Sequence, residues 1–390
     1  MGKEIFELIA PCHFGMEAVL KREINDLGYE ISKVENGKVT FLADAEGICR
    51  GNLFLRTTER ILLKVAEFKA ETFDELFEAC KAISWERYIP ENGKFWVTKA
   101  TSVNSKLFSP SDIQRIVKKA MVESLKRQYH VSWFPEDGAS YPIRINIMKD
   151  IVTVAIDTTG VSLHKRGYRK YTAPAPVSET LAAAMILLSP WKKDRILVDP
   201  FCGSGTIPIE AAMIACQMAP GLGREFISEQ WDNLIPKKEW YGVSEEAQDM
   251  ICEDVELQIQ GYDIDDEVLK MARANASLAG VEKKIHFQRR DIINFSSPKK
   301  YGFVISNPPY GERLSDKKQM EMLYRSIGQI IKENDTWSFF LLSGYEEAQK
   351  MIGKKATKNR KIYNGMMKTY LYQYMGEKPP RHLVKDSQKS

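Results

Sequence analysis

Cysteine is scarce, 6 in 390 residues, with no Cys-x-x-Cys pair and no Cys/His cluster, which argues against a disulfide framework and a zinc site. Long apolar runs are missing too. The longest, Leu181 to Leu188, is far short of the roughly 20 residues a membrane span needs. Glu4 and Glu7 interrupt the start of the chain, so no signal-peptide core is expected there. No internal repeat is visible. The composition is 44% hydrophobic and 28% charged, which excludes wholesale disorder. At about 150 residues per domain, the length predicts two or three domains in a soluble, cytoplasmic protein.

The net charge of +4 hides a zoned distribution. Residues 101–170 hold 12 basic and 6 acidic side chains, and 351–390 hold 10 and 2. Between them, 201–350 hold 17 and 24. A polyanionic partner would favour the first two zones and avoid the third, although solvated surface lysine gives the same count.

Hydrophobic spacing predicts strands at 5–10, 39–42, 61–68 and 94–99, helices at 15–27, 72–82 and 109–125, and a strand pair at 143–148 and 151–157. This is a small α+β region of two subdomains. Residues 160–178 read as a linker, since four basic residues, two tyrosines and two prolines do not suit a core. A helix at 179–188 follows, then strands at 196–199, 259–263, 285–288, 303–306 and 337–342 alternate with helical segments, the pattern of a parallel sheet. Asn364-Gly365 marks a hairpin within 361–374, and 378–390 reads as a disordered basic tail.

Four motifs close the strands of this second half. Asp199-Pro200-Phe201-Cys202-Gly203-Ser204-Gly205-Thr206 lets the backbone approach a ligand at a helix N-terminus. Pro208 stands where a dinucleotide fingerprint needs its third glycine, and the Gly-Lys-Ser/Thr of a phosphate loop is missing. The leading aspartate suits an amine-bearing or positive ligand end; a plain strand–helix turn is the alternative. Cys202 reads as a small packing residue. In Gly261-Tyr262-Asp263-Ile264-Asp265 the Asp263 carboxylate suits a ribose diol, or simply caps the next helix. Arg290-Asp291-Ile292 places Asp291 where it could meet an adenine amine or lie solvated. In Asn307-Pro308-Pro309-Tyr310-Gly311, two prolines fix the path and remove backbone donors. The Asn307 side-chain oxygen and the Pro308 carbonyl are then acceptors for one exocyclic NH₂, and Tyr310 could stack on its ring.

In this order, the four motifs resemble those of class I S-adenosylmethionine-dependent amino-methyltransferases. The N-terminal half resembles a ferredoxin-like plus THUMP RNA-binding arrangement. Leu163 to Arg169, Ala173-Pro174 and Glu179 to Ala184 resemble the bacterial 23S ribosomal RNA guanine-N2 methyltransferases, with transfer-RNA enzymes nearby. The resemblance implies an α/β fold: a Rossmann-like sheet, parallel with a terminal antiparallel hairpin, preceded by an α+β region. The implied domains are a ferredoxin-like subdomain (1–60), a THUMP-like domain (61–159), the basic linker (160–178), the methyltransferase (179–377) and the tail (378–390).

Carried over, S-adenosyl-L-methionine is the cofactor, bound by Thr180, Asp199, Phe201, Cys202, Gly203, Ser204, Gly205, Asp263, Ile264, Asp291 and Ile292. Asn307, Pro308, Pro309 and Tyr310 would hold the target guanine, while Lys165, Arg166, Tyr168 and Arg169 would contact RNA. No metal and no membrane are implied. Residues 217–258 exceed a usual crossover and are expected to add a helical wall. The rivals are adenine-N6 methylation of DNA, glutamine-N5 methylation of protein, and a non-catalytic RNA-binding assembly factor. The N-terminal half speaks against the first two, and intact Asp199, Asp263 and Asn307 against the third.

Overall fold

A computed structural model describes residues 4–172, 176–310, 317–364 and 367–380, with no account of the Asn364 side chain. Ala173-Pro174, Gly311, Gly365 and residues 381–390 of the expected tail lie outside the described residues. The chain forms two compact units. The first takes residues through Pro11, Lys21–Leu163 and Arg224–Glu246; the second takes Cys12–Leu20, His164–Gly223 and the chain from Ala247 onward.

β1 (Phe6–Pro11), mostly buried, opens the first unit, and β2 (Glu30–Glu35) and β3 (Lys38–Ala43) follow α1 (Glu17–Asp26), whose first turn belongs to the second unit. β2 was not expected: its side chains are mostly exposed or half-buried, so it carries no apolar alternation. Asp44 caps α2 (Ala45–Phe54) through Gly47 N at 3.0 Å. β4 (Leu62–Lys69) leads to α3 (Phe73–Lys81), which starts at a reciprocal Thr72/Glu75 capping box. β5 (Lys94–Val103) precedes α4 (Pro110–Tyr129), with Ser109 as N-cap and Pro110 in the first turn. β6 (Ser140–Met148) and β7 (Ile151–Asp157) form the expected antiparallel pair.

These strands make one sheet in the order β2-β3-β1-β4-β7-β6-β5. Two N-terminal subdomains were expected; here β1 joins β4 through Leu8–Leu63 and Ile9–Leu62, so a continuous sheet runs through both.

The second unit opens with α5 (Glu179–Leu188), capped by Ser178, then β8 (Leu197–Asp199) and α6 (Thr206–Ala215). After α7 (Lys237–Asp249) come β9 (Ile259–Asp263), α8 (Asp266–Leu278), β10 (Ile285–Arg289) and β11 (Phe303–Ser306). α9 (Lys317–Glu333), β12 (Ser338–Ser343), α10 (Ala348–Ile352), β13 (Lys358–Asn364) and β14 (Met367–Tyr374) complete it. The sheet order is β10-β9-β8-β11-β12-β14-β13, parallel except for the terminal antiparallel hairpin. Buried apolar clusters cover both faces: Leu181, Ile209, Ala272 and Phe340 on one, Val304, Tyr324, Ile331 and Phe339 on the other. Met16 and Val19, from near the start of the chain, belong to the first of these clusters.

The long crossover corrects one expectation. Its residues 224–246 belong to the first unit rather than forming a wall of the second. Trp231 is fully buried, stacks on Tyr141 at 5.0 Å and 17°, and donates its indole N–H to Ser140 O at 2.9 Å. Ser228 Oγ donates to Thr158 O at 2.7 Å. Among the described residues, no helix is long and apolar enough to cross a membrane.

Candidate active site

The chain moves from β8 to β9 on one side and returns on the other at β11, so a crevice opens beyond the carboxyl ends of β8 and β11. That reversal is where open α/β sheets bind ligands. The cavity there is bounded by Pro176 and Val177, Asp199, Phe201 to Ser204, Thr206, Ile207 and Asn307.

The glycine loop takes its shape from conformations that favour glycine: φ is +51° at Gly203 and +89° at Gly205, the residue preceding α6. A Cβ on Gly205 would also lie 3.1 Å from the Ala272 side chain of α8. Asp263 reaches across from β9 to accept Gly203 N at 3.0 Å, and accepts Asp265 N at 3.1 Å. These backbone donors leave part of the carboxylate's acceptor capacity unused. Burial pushes the Asp263 carboxyl up from its usual range, against three backbone donors. Asn275, fully buried on α8, donates to Tyr171 O at 2.9 Å and to the loop's Ser204 O at 3.1 Å.

Asp199 lies at the floor, 1% exposed. It accepts the Ser306 hydroxyl and Phe201 N, the latter at 3.1 Å. Burial outweighs these donors and pushes its carboxyl up to about 7. Cys202 is buried, and desolvation drives its thiol well up, so the group stays protonated and packs. Asn307 is 6% exposed, and its Oδ1 has no hydrogen-bond partner among the described residues. A buried acceptor without a donor is costly, and Asn307 is one of the residues lining the cavity.

The cavity therefore gathers Asp199, Phe201, Cys202, Gly203, Ser204 and Asn307, while Gly205 and Asp263 shape its loop. Other expected residues sit elsewhere. Asp291 is exposed and accepts Ile293 N at 3.0 Å, Ile264 is 63% exposed, and Ile292 is in a core cluster. Thr180, in the first turn of α5, lies 3.2 Å from Ser178 Oγ and 3.4 Å from His13 Nε2. Pro308 is buried and the Pro309 carbonyl faces the Tyr324 hydroxyl at 3.5 Å. Tyr310, expected to stack on the base, is buried instead: a Cβ on Gly344 would meet its ring at 2.9 Å.

The linker departs most from expectation. Arg166 and Tyr168 are buried at 4% each and converge on Glu210 of α6, the tyrosine hydroxyl at 3.0 Å and the guanidinium at 3.5 Å. Arg169 is bound by Val177 O at 2.8 Å, Thr206 Oγ1 at 3.3 Å and Glu179 at 3.0 Å, so it braces the cavity wall. Of the four residues expected to meet RNA, only Lys165 is exposed. The physical reason is pairing: Glu179 and Glu210 are buried carboxylates that require cations. Glu210, a lone acid in the apolar helix TIPIEAAMIA, was the available signal. Ser306, Asn275 and His13 were also missed. Ser306 directly precedes the Asn-Pro-Pro-Tyr motif, but nothing in the sequence marked its partner.

Three stretches of the chain match known protein families. Residues 7–62 match the RlmL ferredoxin-like domain, 70–157 the THUMP domain, and 166–373 the UPF0020 model, an RMKL-like methyltransferase domain. The chain belongs to this methyltransferase family. YpsC of Bacillus subtilis (strain 168) is 48% identical over 378 residues, covering 96% of this chain and 97% of that one. The ribosomal RNA large subunit methyltransferase K/L of Syntrophotalea carbinolica is 32% identical over 92% of this chain but only 52% of that longer protein. The crystal structure of SMU.472, a complex with S-adenosylhomocysteine (SAH), aligns with TM-score 0.91 at 43% identity, over 97% of this chain and all of that one. S-adenosylmethionine is accordingly the methyl donor of this RMKL-like chain. The buried Asp199 carboxyl and the left-handed glycine loop fit such a donor.

Proposed function

We propose that this protein methylates the exocyclic N2 amine of a guanine in RNA, with 23S ribosomal RNA as the preferred substrate. The observation that carries the reading is the buried, unpartnered Asn307 Oδ1 at the cavity wall. Asn307 Oδ1 and the Pro308 carbonyl accept hydrogen bonds from the two amine N–H groups, which localises the nitrogen lone pair toward the methyl donor, and the surplus N2 proton leaves to solvent after transfer. S-adenosylmethionine supplies an electrophilic sulfonium methyl, so the chain's contribution is positioning rather than nucleophilic catalysis. Asp199 holds a cationic or amine-bearing ligand end, and Asp263 fixes the glycine loop while retaining acceptor capacity for a diol. A base inside a helix cannot reach Asn307, so the target is unpaired or extruded.

RNA is favoured over DNA by the THUMP match at 70–157 and by the ribosomal-RNA methyltransferase among the relatives. The test is nucleoside mass spectrometry after incubation with S-adenosylmethionine and unmodified ribosomal RNA, transfer RNA or duplex DNA. New N2-methylguanosine in ribosomal RNA is expected. N6-methyladenine in DNA would replace the reading with its rival.

A further inference from the structure

With Arg166 and Tyr168 turned inward, the face that meets RNA has to be sought elsewhere in the methyltransferase unit. Residues 353–368 carry six basic side chains and no acidic one. They run through β13 and into β14, the hairpin at the sheet's edge. Its inner face is core: Ile362, Thr369 and Leu371 are fully buried. The outer face is different. Lys361 stands opposite Tyr370, and Tyr363 opposite Lys368, so two lysines and two tyrosines alternate across the strands. Lys361 Nζ lies 5.1 Å from the Tyr363 ring and Lys368 Nζ 5.3 Å from the Tyr370 ring. Tyr370 is half-buried and Tyr372, 6.0 Å from it, is buried in the cluster that holds Val304 and Tyr324, so the aromatic row runs from the exposed Tyr363 into the core. Lys354, Lys355, Lys358, Lys361 and Lys368 are exposed, as is Tyr363 at 37%. Glu346 is the carboxylate whose charge reaches Lys368.

The strand β14 begins beside the acceptor motif. The Tyr310 ring covers Gly344, and a Cβ there would also lie 3.3 Å from the sulfur of Met367, the first residue of β14. Met367 thus adjoins Tyr310 from the Thr369–Leu371 side of β14, and Lys368, the next residue, stands on the opposite side.

We infer that the Lys361–Tyr363–Lys368–Tyr370 face of the terminal hairpin binds the single-stranded RNA flanking the target base. Flat rings accept unstacked bases of any sequence, and interleaved ammonium groups follow the phosphates. Lysines on an edge strand also deter edge-to-edge pairing, but that role has no use for the exposed Tyr363 between them. The inference rests on the RNA reading above and adds the surface that presents the strand.

The test uses the full chain, a short fluorescein-labelled single-stranded RNA titrated by anisotropy at several salt concentrations, and SAH titration as the folding control. Lys361→Ala/Lys368→Ala should flatten the log–log salt slope by about 1.4, roughly 0.7 per lysine. Tyr363→Ala/Tyr370→Ala should weaken binding by about 5- to 150-fold per stacked base at an unchanged slope. Tyr363→Phe/Tyr370→Phe should bind like the parent. Parent-like affinity and slope in both alanine pairs, with SAH binding intact, overturns the inference; so does self-association of the lysine variant with RNA binding preserved. If the parent forms N2-methylguanosine while these variants bind normally, the hairpin face alone fails. If the parent methylates adenine in DNA instead, the RNA reading fails and the anisotropy series still decides the hairpin.

Discussion

Ser306 donates its hydroxyl to Asp199 between two neighbouring parallel strands, β11 and β8, at the floor of the cavity. The bond ties the end of the acceptor strand to the carboxylate that opens the glycine loop. It also opposes the burial that pushes Asp199 up to about 7.

The affinity for SAH should therefore follow Asp199. Below about pH 7 the carboxyl is protonated and cannot pair with the ligand's ammonium group, so affinity rises with pH, at most about tenfold per unit, and levels off above the midpoint. Calorimetric titration at stepped pH checks this. Asp199→Asn should be weak and flat in pH, and Ser306→Ala should move the midpoint upward. For folding the sign is opposite. Because the folded group holds its proton more tightly than the unfolded one, the native state binds more protons between about pH 4 and 7, and Asp199 costs stability as pH rises through that window.

Asn307→Ala removes an acceptor for the amine without touching the glycine loop. Methyl transfer should fall by about 10²- to 10³-fold in kcat, the scale for losing one preorganised hydrogen-bonding group, with SAH affinity close to the parent. Single-turnover kinetics alongside SAH titration separates the two. Full activity in Asn307→Ala would remove the proposed acceptor geometry.

Arg166 and Lys165 are neighbours with opposite expected phenotypes. Arg166→Ala strands the buried Glu210 carboxylate and should cost roughly 3–5 kcal/mol in urea denaturation, without changing the salt slope of RNA binding. Lys165→Ala, at an exposed position, should leave stability within about 0.5 kcal/mol of the parent. An Arg166 variant of normal stability would return that residue to the surface role its sequence context suggested.

These cases show what the sequence exposes and what it hides. Strands β9 and β11 and helix α5 were legible to the residue, because apolar runs ended at glycine, proline or a capping serine. The residues around the cavity were legible because Asp199, the glycines and Asn307 lie in short motifs at strand ends. Pairing over long separation was not. Arg166 and Glu210 are 44 residues apart, Ser306 and Asp199 are 107 apart, and a basic side chain reads as surface until its buried partner is known. Trp231 and Tyr141, 90 positions apart, hid the allegiance of residues 224–246 for the same reason.

The most distant pairing gives the last prediction. His13 Nδ1 lies 3.0 Å from Tyr363 O, and a carbonyl only accepts, so Nδ1 carries the proton. In the neutral ring Nε2 is then an acceptor, 3.2 Å from the Ser178 hydroxyl that caps α5. Ser178 follows Val177, a cavity wall residue that Arg169 holds from its other side. Met16 and Val19 continue this N-terminal segment into the core that contains Leu181, Ile209 and Leu371. The methyltransferase unit is thus incomplete without residues 12–20, although those residues lie between β1 and the rest of the α+β region. Met16→Ala should cost about 2–5 kcal/mol, and the loss should appear as faster amide exchange in α5 and α6. His13→Ala should cost about 0.5–1.5 kcal/mol and weaken SAH binding through the loosened wall at Val177. Exchange rates in α5 and α6 unchanged by Met16→Ala would show that the segment merely rests on the unit, and that a chain beginning at His164 is a complete methyltransferase.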